Sequence, residues 1–393
     1  MKIAWFTDTY FPQMNGVVAY IADAVRVLSR DHQVVLFAPG EGPLHKESLG
    51  PNLSIYWIPS SPFPFYEGYR IASMDYRRIS EILRKEAPDI IHAHAPINLG
   101  LQGLLAAKRK RIRSVVTYHT HFPDYVPHLI NGRLPGVFSR LSDYTVKKMI
   151  KHVLGKADVV TAPTMELADE LRSYGLRNVA YLPNGIDLGA LQPDPVRTRK
   201  FKARWGLAGK KVILYLGRIS FEKRVENLLE AFRIIERPGR VLVIAGGGPY
   251  LGEFRDFSKA LGIKNVVFTG FIENKAEAYS SADIFVSASD SETFGLTFVE
   301  AMHMGLPVVG IRRLGPKEVI GGGSGILVEP GGISQLAGAM DRLLKDPALR
   351  KRMGAHARKR AQRYTIEKSV GSTLEIYRRL LGKHHQTTQN RKV

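Results

Sequence analysis

Ile3-Ala4-Trp5-Phe6-Thr7, a turn-rich passage from Pro12 to Gly16, apolar residues at Val18, Ile21, Ala22, Val25 and Leu28, and the run Gln33 to Ala38 open the chain and decide its fold. A short apolar run reads as a strand, the helical spacing over residues 17–30 as an amphipathic helix, and the second run closes a βαβ unit. The pattern continues outward. Further strands are expected at Leu53–Ile58, Ile90–Ala93, Ser114–Tyr118, Val159–Ala162 and Val179–Tyr181. Pro183-Asn184-Gly185 then interrupts the alternation, and Pro193, Pro195 and a basic polar run follow, the composition of a domain connection. A second series begins at Val212–Leu216 and continues through Val241–Ala245, Asn265–Thr269, Ile284–Ser287, Val308–Gly310 and Gly325–Val328. The expectation is an α/β chain of two Rossmann-like, doubly wound domains facing a central cleft, with a ligand between the carboxyl ends of both sheets.

The composition agrees with a folded, enzyme-sized chain. Its 393 residues suit two domains, and 44% hydrophobic with 24% charged residues exclude a disordered or collagen-like chain. The absence of cysteine removes disulfides, thiolate metal sites and cysteine nucleophiles, and makes a cytoplasmic location the expectation. The start, Met1-Lys2-Ile3-Ala4-Trp5-Phe6-Thr7-Asp8, turns polar too soon for a signal peptide, and no window offers about 18 uninterrupted apolar residues for a membrane span. The 57 Lys+Arg against 36 Asp+Glu leave a net charge of +21, which favours nucleic acid, anionic lipid or phosphorylated substrates as partners. The excess is local. Residues 197–211 carry Arg197, Arg199, Lys200, Lys202, Arg204, Lys210 and Lys211 without an acid, and residues 345–393 carry 14 basic residues against Asp346, Glu367 and Glu375. A linker-like stretch and a C-terminal helix-plus-tail thus hold most of the excess. These runs lack interleaved aromatics, and no nucleic-acid-binding signature appears, so no specific nucleic acid is expected. Ion-pair networks of a thermophilic source need both signs, which the tail does not offer.

Chemistry is sought first in Asp290-Ser291-Glu292-Thr293-Phe294-Gly295-Leu296-Thr297-Phe298-Val299-Glu300-Ala301. Glu292 falls at a strand-to-helix loop and Glu300 about two turns into the following helix, where both carboxylates could face one site. The amides of Phe294 and Gly295 would lie at a helix start, where phosphate binds well. A capping Glu292 and a solvated Glu300 would have the same spacing. Arg218 and Lys223, just after a strand, suit a diphosphate, one as a bidentate fork and one as a point charge, or else form a solvated basic face. Gly246 to Gly248 satisfies only part of G-x-G-x-x-G, with no acid at the end of the next strand, which disfavours a nicotinamide site. His92, His94, His119 and His121 are spaced in pairs two apart, yet no carboxylate cluster completes a metal site.

Four segments in order resemble the retaining glycosyltransferases of family four, which have the GT-B fold. Glu292 to Glu300 matches the family's E-x7-E motif; Gly217-Arg218-Ile219-Ser220-Phe221-Glu222-Lys223-Arg224 resembles its G-R-x3-E-K segment; Ala245-Gly246-Gly247-Gly248-Pro249 resembles its glycine-rich turn; and Asn15-Gly16-Val17-Val18 resembles its N-terminal loop. The resemblance covers nearly the whole chain. It implies an acceptor domain at 1–185, a nucleotide-sugar domain at 186–365, a helix at 366–382 crossing back to the first domain, and a basic, disordered tail at 383–393. It assigns Arg218 and Lys223 to the donor diphosphate, Glu300 to the ribose hydroxyls, and Glu292 with Phe294, Gly295 and Leu296 to the donor sugar. Ile272 presents its backbone to the base, Gly16 faces acceptor and diphosphate, and His119 meets the donor sugar. The catalytic group is then His119, Glu292, Arg218 and Lys223. Asn15, Gly16, His121, Asp124 and Tyr125 are the acceptor candidates.

The reaction implied is hexosyl transfer with retention from a nucleotide sugar, UDP-glucose favoured and GDP-mannose next. The nucleotide sugar serves as co-substrate, with no tightly bound cofactor and no metal required by any visible site. Because no carboxylate nucleophile is evident on the opposite face of the sugar, a front-face path is expected, in which the leaving phosphate accepts the acceptor's proton. The His119-Thr120-His121-Phe122-Pro123-Asp124-Tyr125 run resembles the glycolipid-forming branches of the family, which act on diacylglycerol and other lipids. Lys108-Arg109-Lys110-Arg111-Ile112-Arg113 and the stretch Leu134 to Leu154, mixing Val137, Phe138, Leu141, Met149, Ile150 and Val153 with Arg140, Lys147, Lys148 and Lys151, suit a peripheral position on the cytoplasmic face of an anionic membrane. An ordinary amphipathic core helix has the same pattern. A soluble acceptor (a sugar, a polysaccharide or an inositol phosphate) and, without activity, a sugar-nucleotide-binding or nucleic-acid-binding protein are the alternatives, and the oligomeric state is left open.

Overall fold

The computed structural model describes residues 1–63, 69–94, 96–124 and 136–389, of which 136–143 and 383–389 as backbone only. The chain divides into two units, one formed by Met1–Gly185 with Ile366–Val393 and one by Ile186–Thr365.

The first unit carries strands β1 (Lys2–Thr7), β2 (Gln33–Gly40), β3 (His45–Ser48), β4 (Leu53–Pro62), β5 (Arg70–Ala72), β6 (Ile90–His94), β7 (Arg113–Thr117), β8 (Val159–Ala162) and β9 (Val179–Tyr181). Its helices are α1 (Gly16–Leu28), α2 (Tyr76–Glu86), α3 (Leu99–Lys110), α4 (Gly136–Leu154) and α5 (Met165–Ser173). The sheet order is β3-β4-β2-β1-β6-β7-β8-β9, with β5 beside β4. All pairings are parallel except those of β3 and β5 with β4. β1 sits at the centre because Ile3 to Thr7 are buried on both faces, as a parallel strand covered by helices must be. The order reverses between β1 and β6, so the loops after these two strands flank the switch point.

The second unit has β10 (Lys211–Leu216), β11 (Arg240–Ala245), β12 (Val266–Gly270), β13 (Ile284–Val286), β14 (Val308–Ile311) and β15 (Gly325–Val328), interleaved with α6 (Pro195–Arg204), α7 (Val225–Ile235), α8 (Leu251–Ala260), α9 (Lys275–Ser281), α10 (Leu296–His303), α11 (Leu314–Val319), α12 (Ile333–Lys345) and α13 (Pro347–Ala361). Its sheet is wholly parallel in the order β12-β11-β10-β13-β14-β15. Alternation along β10 builds two cores. Val212, Leu214 and Leu216 join Phe285, Phe298 and Tyr364 on one face, while Ile213 and Tyr215 join Leu228, Phe232 and Met340 on the other. A last helix, α14 (Ile366–Gln389), packs on α1 in the first unit.

Several sequence expectations need correction. The basic stretch after Pro193 is not a linker: Asp194 caps α6 by accepting from the amides of Val196 and Arg197, Pro195 starts the helix, and Phe201 anchors it in the core. The last helix does not stop at 382 but runs on to Gln389. Strands β3 and β5 were unexpected, since His45-Lys46-Glu47-Ser48 is exposed throughout and owes its extended form to pairing with β4.

Candidate active site

In the second unit the loops after β10 and β13 meet at the point where the strand order reverses, the default ligand position of a doubly wound sheet. Gly217 to Lys223 leaves β10, ending in a 3-10 turn at Phe221–Lys223. Glu292 lies in the loop after β13. The Nζ of Lys223 donates to Glu292 Oε1 at 2.6 Å, with both side chains mostly buried. Serines of the second loop hold it to the first: Ser289 and Ser291 donate to the Glu222 carbonyl at 3.1 and 3.2 Å, while within the first loop Ser220 donates to the Glu222 carboxylate at 2.6 Å. Tyr215 Oη donates to the Arg218 carbonyl at 2.8 Å, tying the first turn of the same loop back to its strand.

Glu292 does not cap the next helix; its side chain goes to Lys223, and the residue before α10 is Gly295 in the left-handed region with φ 82°. The helix begins at Leu296, so Glu300 lies little more than one turn in, closer to the start than the expected two turns. Nor is Glu300 solvated. It is 4% exposed, accepting from Lys275 Nζ at 2.7 Å and from Tyr279 Oη at 2.6 Å. Burial with the Glu300 charge holds the Tyr279 hydroxyl well above its ordinary range, so it stays a donor. Phe294 is buried edge-on to Tyr364, Leu296 is half-buried, and Ile272 packs against the core of this unit.

The glycine-rich turn acts through backbone geometry. The amide of Gly217 donates to the Ala245 carbonyl, that of Ile219 to the Gly247 carbonyl, and that of Gly246 to the Gly270 carbonyl. A Cβ on Gly246, at φ 141°, would stand 1.9 Å from the Gly217 carbonyl oxygen. Glycine there lets the turn run flush against the Arg218 loop.

In the first unit the amino end of α1 and the segment after β7 hold the other expected residues. Asn15 caps α1, its Oδ1 accepting from the Val18 amide at 3.0 Å while its Nδ2 donates to Thr9 Oγ1 at 3.0 Å; Gly16 opens the helix and is exposed. His119, just beyond β7, is 2% exposed and shares a 2.9 Å hydrogen bond between its Nε2 and His94 Nδ1. Burial pushes its imidazole down to about 3, so it is neutral. His121 is its opposite in charge. Burial would lower it, but hydrogen bonds to Asp124 and Glu170 outweigh burial and raise it to about 9. Its Nδ1 lies 2.8 Å from Asp124 Oδ2 and its Nε2 3.0 Å from both Glu170 oxygens. Tyr125 lies outside the described residues, as do Leu134 and the side chains of Val137, Phe138, Arg140 and Leu141.

His92 spends both ring nitrogens, on Tyr377 Oη at 2.6 Å and Thr117 Oγ1 at 2.7 Å, and among the described residues no cluster of three or more His, Asp or Glu is placed to hold a metal. Arg113 also leaves the expected basic run, pairing with Asp158 at 3.0 Å. Sequence reasoning missed Lys275, Tyr279, Glu222, Ser289, Ser291 and Glu170. Lys275 and Tyr279 are four apart on one helix and so share a face; the serines gave no comparable signal.

Residues 14–190 match the family described as Glycosyltransferase Family 4, and residues 197–360 the family described as Glycosyl transferases group 1. An alpha-monoglucosyldiacylglycerol synthase of Streptococcus pneumoniae is 33% identical over 79% of this chain and 70% of its own length. A sulfoquinovosyl transferase of Arabidopsis thaliana is 32% identical over 78% of this chain and 59% of its own length. A GDP-mannose-dependent alpha-mannosyltransferase of Mycobacterium tuberculosis is 28% identical over 81% of each. Among solved structures, a sucrose-phosphate synthase from Thermosynechococcus elongatus shares the fold with a TM-score of 0.79 at 20% identity, over 97% of this chain and 99% of that one. Anabaena HepE in complex with UDP does so with a TM-score of 0.74 at 19% identity, over 96% and 99%. Two Rossmann-like units, a switch point furnished with Arg218, Lys223, Glu292 and Glu300, and a relative one-third identical over most of both chains lead to one conclusion: the protein is a GT-B glycosyltransferase and belongs to glycosyltransferase family 4.

Proposed function

We propose that this enzyme is a retaining hexosyltransferase that moves a sugar from a nucleotide sugar, UDP-glucose favoured and GDP-mannose next, to a lipid acceptor of the diacylglycerol type at a membrane surface. The observation that carries the donor half is the Lys223–Glu292 pair at 2.6 Å on the switch point of the second sheet, with Glu300 held by Lys275 and Tyr279 on the helix that follows. Fixed cations there stabilise the charge that develops on a departing diphosphate. Arg218 and Lys223 take the diphosphate; Glu292, with the Phe294 and Gly295 backbone and Leu296, takes the sugar; Glu300 takes the ribose; and Ile272 lies by the base. The C1–O bond to the diphosphate breaks, the C1–O bond to the acceptor hydroxyl forms on the same face, and the acceptor's proton passes to the leaving phosphate oxygen.

The first unit takes the acceptor through Asn15, Gly16, His121 and Asp124, with His119 at the donor sugar. Three relatives support the donor and acceptor classes: a synthase named for monoglucosyldiacylglycerol, a sulfoquinovosyl transferase and an enzyme named for its GDP-mannose dependence. The docking surface on the cytoplasmic face of the membrane is basic. Lys108 and Arg109 end α3 exposed, and the outer face of α4 exposes Tyr144, Lys148, Met149 and Lys151 over a buried face of Val146, Ile150 and Leu154. Each basic side chain near an anionic leaflet adds about 1 kcal/mol.

The test is a mass-spectrometric transfer assay that pairs UDP-glucose, GDP-mannose and other sugar nucleotides with anionic liposomes containing diacylglycerol, and separately with soluble sugars and inositol phosphates. A hexosyl-lipid from one donor is expected. Transfer to soluble acceptors alone would overturn the lipid half, and a covalent glycosyl-enzyme trapped in Glu292→Gln would overturn the front-face path.

A further inference from the structure

Glu300 stands in the opening turns of α10 with 4% of its surface exposed, and each of its oxygens meets a donor from α9. Lys275 Nζ donates to Oε1 at 2.7 Å and Tyr279 Oη to Oε2 at 2.6 Å. The two donors are four residues apart and so share a face of α9. Asn274 sets where that face begins, its Oδ1 accepting from the Ala276 amide at 3.1 Å. Glu277, the other charged residue of this helix, lies 3.9 Å from Arg197, so Lys275 has Glu300 for its counter-charge.

The two donors are fixed in different ways. Tyr279 is fully buried, its ring tilted 54° to that of Phe285 with centroids 6.0 Å apart, so core packing sets the place of its hydroxyl. That hydroxyl has one proton and two acceptors in reach, the Glu300 carboxylate and the Thr297 carbonyl at 3.4 Å. The shorter bond, to a charged oxygen, takes the proton. Lys275 is more exposed, and the carboxylate holds its tip. The terminal torsion of a glutamate is soft, without a sharp staggered well to set the plane of the carboxylate. A single donor would let that plane pivot about its one bond; two donors on different oxygens stop the pivot.

A carboxylate offers about four lone-pair positions. Lys275 and Tyr279 take one on each oxygen, and among the described residues no other donor reaches either. What remains is an acceptor pair of fixed orientation, which suits two neighbouring hydroxyls rather than one.

From this geometry we infer that Lys275 and Tyr279 are positioning residues that lock the Glu300 carboxylate for a vicinal diol, and that the lock makes the enzyme select ribonucleotide over 2′-deoxyribonucleotide donors. The inference rests on the reading that Glu300 takes the ribose.

Calorimetric titration of the full chain with UDP, GDP and their 2′-deoxy forms tests it without any acceptor. The wild type is expected to bind the ribonucleotide at least about tenfold tighter than its deoxy form, the worth of one hydrogen bond to a charged group. In Lys275→Met and in Tyr279→Phe the ribonucleotide should weaken while the deoxy form changes little, so that the preference falls to about threefold or less. Because either loss alone frees the plane, the double variant should lose no more than either single one. If Tyr279→Phe does not fold, Lys275→Met decides alone. A preference of wild-type size in the single variants, whether or not overall affinity falls, would mark a merely structural role and overturn the inference while leaving the ribose reading intact. Losses that multiply in the double variant would overturn the lock, since they would mark two independent contacts. A wild type that binds ribo and deoxy forms equally would sink the assignment of Glu300 to the ribose, and the inference with it. No binding of UDP or GDP would sink the donor half of the proposed function.

Discussion

Replacing Tyr377 by Phe removes one oxygen from a site where the two groups it serves have no alternative. Trp5, His92 and Tyr377 are all fully buried, so water cannot take the place of the hydroxyl. Trp5 Nε1–H loses its acceptor and His92 Nδ1 loses its donor. A buried polar group left unpaired costs about 1–3 kcal/mol, and removing the desolvated hydroxyl itself returns part of that, giving a net loss of about 3 kcal/mol. Switching the tautomer does not help His92, because a proton on Nδ1 would be as unpaired as the lone pair. The loss falls on the first unit, which includes the C-terminal helix. For a unit of this size, 1 kcal/mol moves the midpoint by about 2–4 °C, so the first-unit calorimetric transition should fall by about 6–12 °C. The second-unit transition should stay in place. A first-unit shift below about 2 °C would refute the assignment of Tyr377 as the shared partner of Trp5 and His92.

Gly246→Ala should abolish soluble expression or donor binding, since its Cβ would collide with the Gly217 carbonyl at 1.9 Å, while Gly247→Ala, whose Cβ meets nothing within 4 Å, should behave as wild type in the same expression and binding assays. His121 has a folded-state pKa raised from 6.5 to about 9, so its stabilisation of about 3 kcal/mol is complete below pH 6.5 and lost as pH rises through 9; first-unit melting from pH 6 to 10 should show that loss in the wild type and not in His121→Gln. His92, His94 and His119 are held neutral, so each takes up a proton only on unfolding; stability should fall as pH drops below 6.5, with a slope approaching 4 kcal/mol per pH unit, about a third less in His92→Gln. Glu292→Gln leaves Lys223 without its counter-charge, so UDP should bind about tenfold tighter by calorimetry even as transfer collapses; unchanged UDP affinity would show that the pair does not compete with a diphosphate.

The sequence made the architecture legible because it is written in apolar residues. Strands such as Val159–Ala162 and Gly325–Val328 were readable to the residue, since each is a short, mostly apolar run bounded by turns. β3 was illegible for the converse reason: its four exposed polar residues take their form from a neighbour. The site divided in the same way. Glu292 and Glu300 could be named from their spacing, but the partners that decide what each carboxylate can do, Lys223 and the Lys275–Tyr279 face, come from other elements brought in by the sheet order. The histidines show this most clearly. As a string, His92, His94, His119 and His121 show only pairs two apart; in the fold they become a hydrogen-bonded pair, a link from Tyr377 to Thr117 and an imidazolium between carboxylates.

The two units also treat negative charge in opposite ways, and this bears on what each can bind. In the second unit Glu292 and Glu300 both face lysines, and the loops holding Arg218 and Gly295 lie at the switch point. In the first unit the equivalent position already holds an anion. Asp8, at the end of β1, accepts from the amides of Ile97, Asn98 and Leu99 at 2.8, 3.2 and 2.5 Å, filling the amino end of α3. Burial raises its pKa to about 6 against the pull of those amides, so it is ionised at neutral pH. A helix amino terminus beside a switch point is where a phosphate would otherwise bind; here an internal carboxylate occupies it and would repel a second anion. On the proposed reading, an acceptor group that is neutral meets no such opposition at that position.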